Sequence, residues 1–226
     1  MKRLPLCHAA FAGLLITVGI ASVSAAPPDA KPGVSTAKGG GLLLRMDCHN
    51  LATDARTPQL ADYPDAVEVR LAGHEGFTDD GLKVLPKLRK LRELQLTGEN
   101  ISAAGFTHLA DHPSLVALWL HLMPLGEKEA GAVARIRGLE RLGLKNQKVA
   151  AGAWVRLADL PRLRALTYSP KKPLTADDVT GLGRLTRLDE LVIQGADRVT
   201  LADLAALKAA LPNTRIVTAV GTVTPR

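Results

Sequence analysis

Two histidines, His49 and His74, are separated by one interval, and Glu99 follows after the same interval again. Asp47 and Cys48 directly precede the first. Imidazole, carboxylate and thiolate are the ligands of zinc and copper, so a fold that stacks segments at this interval would gather a metal site here. The plainer alternative is that the histidines bond nearby backbone groups, because their spacing is no local metal motif. A second set centres on Trp119, with His121 just beyond it. Gly143 follows Trp119 at nearly the same interval, flanked by Arg141 and Lys145, and Arg70 and Gln95 precede it at similar spacings. A solvent-facing tryptophan beside arginine is the composition of an interface hot spot. Its structural alternative is Arg141 stacked on the indole with no partner involved. Covalent catalysis finds no support, since no GxSxG elbow or glycine-rich phosphate loop accompanies the Ser, His and Asp residues.

Both sets depend on a period, and the chain has one. LRELQL from Leu91, LVALWL from Leu115, LERLGL from Leu139, LRALTY from Leu163 and LDELVI from Leu188 follow one another at a near-constant interval. Such a period signals a solenoid in which each unit buries its apolar face only against its neighbours. The fourth position reads Leu44, Val69, Leu94, Leu118, Leu142, Leu166, Leu191, Ile216; the sixth runs from Met46 through Tyr168 to Thr218. Unit starts at 41, 66, 91, 115, 139, 163, 188 and about 213 give some seven repeats and a closing strand. The first half of each unit alternates, as strands do. The second opens on a helix cap (Thr78, Ser102, Thr175 or Thr200), often with a carboxylate in the first turn. Phe106 and Trp154 fall at core-facing helix positions, His108 and His112 at expected exposed ones. Strand then helix, repeated, makes an α/β stack with a parallel sheet. Helices are wider than strands, so the sheet takes the concave side and the helices the convex side.

These units resemble leucine-rich repeats of the ribonuclease-inhibitor-like, strand–helix type. Bacterial repeats with a glycine early in the helix are the most similar, as in TDDGL at 78–82, SAAGF at 102–106 and VAAGAW at 149–154. The resemblance spans residues 41 to about 220. It implies a leucine-rich repeat solenoid and protein binding, and it implies no chemistry. The chain departs from the family at the ninth position. There the usual asparagine is replaced by His49, His74, Glu99, Met123, Gln147, Lys171 and Ala196.

The ends have other compositions. Lys2 and Arg3 precede a charge-free run from Leu4 to Pro28, and Val23-Ser24-Ala25 offers the small residues of a cleavage site. Residues 1–25 therefore read as a secretory signal, or, uncleaved, as a membrane anchor. Residues 26–41, rich in Pro, Gly and Ala, read as a flexible tether, and 42–226 as one repeat domain. The whole chain carries 29 Lys and Arg against 22 Asp and Glu, and loss of Lys2 and Arg3 leaves a mildly basic domain. With no basic run interleaved with aromatics, nucleic acid is not the expected partner. Only Cys48 remains after cleavage, so no intrachain disulfide is possible.

Alternation sends positions three, five and seven to the concave side, a face roughly 30 Å wide over seven strands. The leading expectation is an exported, non-enzymatic module of the periplasm, cell envelope or external medium. It holds a protein partner, or an envelope polymer, through Arg70, Gln95, Trp119, His121, Arg141 and Lys145, with no cofactor. One alternative is zinc binding through His49, His74 and Glu99. The other is self-association through the first strand, which begins after Gly39-Gly40-Gly41 with an uncovered edge.

Overall fold

The computed structural model describes residues 31–47 and 51–225; the stretch read as a signal, Cys48 and His49 lie outside them. Among the described residues, ten strands form one sheet in chain order. They are β1 (Gly33–Thr36), β2 (Leu42–Met46), β3 (Ala66–Ala72), β4 (Glu93–Thr97), β5 (Ala117–His121), β6 (Arg141–Gln147), β7 (Ala165–Pro170), β8 (Glu190–Ile193), β9 (Arg215–Thr218) and β10 (Gly221–Val223). From β2 to β9 every pairing is parallel. The register follows the sequence columns: Leu94 pairs with Leu118, Leu118 with Leu142 and Leu142 with Leu166.

The fourth-position residues from Leu44 to Ile216 and the sixth-position residues from Met46 to Ile193 are all buried. Opposite them pack α1 (Ala103–Thr107), α2 (Glu127–Val133), α3 (Ala151–Leu157), α4 (Ala176–Leu182) and α5 (Leu201–Ala210). The units between β2 and β4 use short 3-10 helices instead, at Thr57–Asp62, Asp79–Leu82 and Leu85–Lys87. Two of these carry proline in their first turn, where a missing N–H does no harm. This arrangement is an α/β, leucine-rich-repeat-like solenoid.

All four expected caps form. Thr78 accepts from Asp80 N, Ser102 from Ala104 N, Thr175 from Asp178 N and Thr200 from Asp203 N. Three helical glycines are seats for a side chain of the unit before, while Gly131 in α2 faces open space. A Cβ at Gly105 would strike the Asp79 carboxylate, one at Gly152 the Glu127 carboxylate, and one at Gly181 the Trp154 indole. Trp154 and Phe106 are core residues, as expected.

Three expectations are corrected. Gly33–Thr36, within the stretch read as tether, is strand β1. It folds back through Gly40 and Gly41, both at positive φ, and pairs antiparallel with β2. The edge of β2 is therefore covered, and β10 covers β9 in the same way at the other end. His112 is buried rather than exposed. Its Nε2 lies 3.3 Å from the Leu85 carbonyl, and its Nδ1 accepts from Ser114 N at 3.4 Å. The ninth-position column also divides. Met123 and Gln147 are buried, each preceded by a residue in the left-handed region, Leu122 and Asn146, while His74, Glu99, Lys171 and Ala196 are exposed. Gln147 has no hydrogen-bond partner for either amide atom among the described residues.

Candidate binding face

The face opposite the helices presents positions three, five and seven. Register places Arg45, Arg70, Gln95, Trp119, Gly143 and Thr167 in one row across six strands. A parallel row holds Thr97, His121, Lys145 and Ser169. All six residues expected to meet a partner thus lie on one face, on β3 to β6. Arg70, Gln95, Trp119, His121 and Lys145 are partly buried and Arg141 is exposed.

The small residue beside Trp119 has a function the sequence did not reveal. A Cβ at Gly143 would collide with the benzene ring of the indole, so the ring lies over the Gly143 backbone. Gly143 is the seat of Trp119 and leaves only part of the ring to solvent. The Nε1 proton of Trp119 is buried and finds no acceptor among the described residues. An unmade buried hydrogen bond costs about 1–3 kcal/mol, so apolar contact, not hydrogen bonding, sets the ring's position.

Charge on this face is largely self-matched. Arg45 Nε donates to Asp47 at 2.8 Å, and Arg70 Nε to Glu68 at 2.7 Å, along their own strands. Arg141 reaches across Ala117 to Glu93, Nη2 to Oε2 at 3.4 Å. Arg215 pairs with Glu190 on the neighbouring strand. The acids of the third position were the signal for this pairing, and the alanines between them give the arginines reach. The exposed pairs of Arg45, Arg141 and Arg215 contribute about 0–1 kcal/mol each, so a partner's charges can replace them at small cost, whereas Glu68 is buried and holds Arg70 in place. His121 is pushed down to about 4, first by burial and then by Lys145 beside it. It is neutral at pH 7.

The metal column is only partly described. His74 and Glu99 lie exposed in successive loops after β3 and β4. Among the described residues no three His, Cys, Asp or Glu side chains gather to hold an ion. His49, the third member, is outside that set.

No family model and no curated protein matches the chain. Among solved structures, an internalin from Listeria monocytogenes is similar, with a TM-score of 0.38 and 12% identity. The match covers 77% of this chain and 60% of that one, so this chain spans less than two thirds of the internalin's length. The class stands on the repeat geometry itself: a strand–helix solenoid with one sheet face free of helices.

Proposed function

We infer that the protein is an exported, non-enzymatic binding module that holds a protein partner on the open sheet face. The observation that carries this reading is Trp119. A tryptophan held on a bare glycine backbone, at the middle of a helix-free face and ringed by exchangeable ion pairs, is built as an apolar anchor inside a polar rim. Trp119 supplies burial, Arg141 supplies charge-assisted bonds once released from Glu93, Arg70 offers its remaining guanidinium donors while held by the buried Glu68, and Gln95, His121 and Lys145 complete the rim. The uncharged state of His121 keeps a second cation away from Lys145.

The test is affinity capture from cell-envelope and secreted fractions with wild type and Trp119→Ala as paired baits, then titration of any differential protein. The expected result is a partner bound by wild type and weakened roughly tenfold or more by the substitution. Equal affinity for both baits would remove Trp119 from the mechanism. Export is tested by N-terminal sequencing of the mature protein. Ala26 as first residue supports a cleaved signal, and Met1 in a membrane fraction supports an anchor. The zinc reading has its own test, stoichiometric zinc after purification without a tag. A metal-free protein whose melting ignores added zinc would sink it.

A further inference from the structure

The parallel strands bring every loop that precedes a strand to one edge of the solenoid. Five such segments, 83–92, 108–116, 134–140, 158–164 and 183–189, carry eleven Lys or Arg and four Asp or Glu. The six segments at the opposite edge, 73–78, 98–102, 122–126, 148–150, 171–175 and 194–200, carry four against three. Basic residues that look scattered along the sequence are therefore sorted in space. Cations after helices suit the helix dipole, and that accounts for one or two per unit. It does not account for the accumulation between Lys87 and Arg92, where the preceding helix is a single 3-10 turn.

Most of this charge is not neutralised. Of the eleven, only Lys83, with Asp80, and Lys90, with Asp65, have an acid within ion-pair distance among the described residues. Two of the others are fixed by backbone carbonyls, which orient a guanidinium without cancelling it. Arg164 Nη1 donates to the Arg187 carbonyl at 3.0 Å, and Arg187 Nη1 to the Ala158 carbonyl at 3.1 Å. Beside them a groove of about 480 Å³ opens between the ends of α2 and α3. Arg135, Arg137 and Arg156 line it, with Asp159 as its one acid. Arg156 is held there by Glu127 at 2.8 Å.

The geometry points to this edge as a binding track for a linear acidic polysaccharide, seated in the Arg135–Arg137–Arg156 groove and running past Arg162 and Arg187. Arg137, Arg162 and Arg187 recur one unit apart with no acid at ion-pair distance among the described residues, and such a row of guanidiniums matches a chain with an anionic group on each sugar or two. The edge segments contain no Phe, Tyr or Trp on which a base would stack. None of the exposed large apolar residues (Val34, Leu122, Val155, Leu201, Val220) lies in them, which leaves a lipid surface without an insertion point. The track is separate from the open sheet face, so it stands or falls independently of Trp119.

The experiment is binding of labelled polygalacturonate by the purified protein, with neutral dextran, phosphatidylglycerol vesicles and a single-stranded oligonucleotide as comparison probes. Two charge-matched variants decide it: Arg135→Glu/Arg137→Glu/Arg162→Glu at the track, and Lys148→Glu/Lys171→Glu/Lys172→Glu at the opposite edge. Expected are binding that weakens with salt, at least a tenfold loss in the first variant and less than a twofold change in the second. A milder track variant with Gln at the same three positions, and melting curves for all, separate lost binding from lost fold. Equal losses in both variants mean net charge alone and overturn the proposal. So does tighter binding to vesicles or oligonucleotide than to the polysaccharide, or no binding at physiological salt.

Discussion

The two halves of the stack fix their helices by different means. In the early units a carboxylate crosses from one unit to the next. Asp54 accepts from Thr78 N and Oγ1 at 2.8 and 2.7 Å, and Asp79 accepts from Ser102 N and Oγ at 2.7 and 2.6 Å. In the late units the cap is local. Thr175 and Asp178 cap α4 reciprocally, and Thr200 and Asp203 cap α5. Coupling between late units falls instead to Trp154. Its indole lies in the seat at Gly181, meets Tyr168 edge-on at 5.2 Å, and donates to Asp178 at 3.2 Å. Burial and Asp178 push the Tyr168 hydroxyl well above its ordinary value, so it stays protonated. A polar strap couples units only while both ends are ordered, whereas a buried aromatic couples them through packing. The late half is thus locally capped and apolar in its joints, and the early half is stitched by hydrogen bonds.

The largest test of this contrast is Trp154→Ala, expected to remove about 3–5 kcal/mol in urea unfolding, as loss of a buried aromatic does. If the loss were only about a quarter of that, the late half would not depend on its apolar joint. Asp79→Ala is next, at about 1–2 kcal/mol. Hydrogen exchange should then show faster opening in two units, 66–90 and 91–114. Asp203→Ala should remove about 0.5–1 kcal/mol and loosen α5 alone. Equal spread of exchange in both variants would erase the distinction between strap and local cap.

Acid sharpens the comparison. Burial depresses both His112 and His121, the latter to about 4 with help from Lys145; for His112, bonds to the Leu85 and Leu88 carbonyls partly oppose the shift. Unfolded, His121 takes up a proton near pH 6.5 that it refuses in the folded chain until about 4, and His112 is shifted in the same direction. Stability is therefore full above 6.5 and falls as pH drops toward 4. No histidine lies beyond His121. Exchange at about pH 4.5 should accelerate before residue 139 more than after it, and His121→Gln should flatten the stability profile. The smallest effect is at the sheet face. In a Trp154→Phe background, Gly143→Ala should shift Trp119 emission to the red with little change in melting. Unaltered emission would mean that the indole does not rest on that backbone.

The strand columns, the four caps and the core leucines were legible because each repeats with a fixed period and has one physical reading. Strand β1 was not, since GVST has no leucine and no partner within its own unit; it forms because the Gly40–Gly41 turn returns it to β2. His112 was misplaced because its burial depends on the Leu85 carbonyl, which belongs to the preceding unit. The glycines marked the repeat type but not their function, because what fills a seat comes from another unit. The arginine–acid pairs at the face were readable in principle from complementary third-position columns. The charge sorting at the strand-start edge was invisible in linear order and appears only once the topology aligns the loops.

The glycine seats have a further consequence for how such a chain can change. Each receives a particular neighbour: Gly105 takes Asp79, Gly152 takes Glu127, and Gly181 takes Trp154. Deleting residues 139–162 would keep every strand in register yet put Ala130 where Trp154 stands, leaving the space at Gly181 without its indole. The units are alike in period but not interchangeable. Their order is written into the joints, so this stack is free to diverge residue by residue and is resistant to shuffling, duplication or loss of a whole unit.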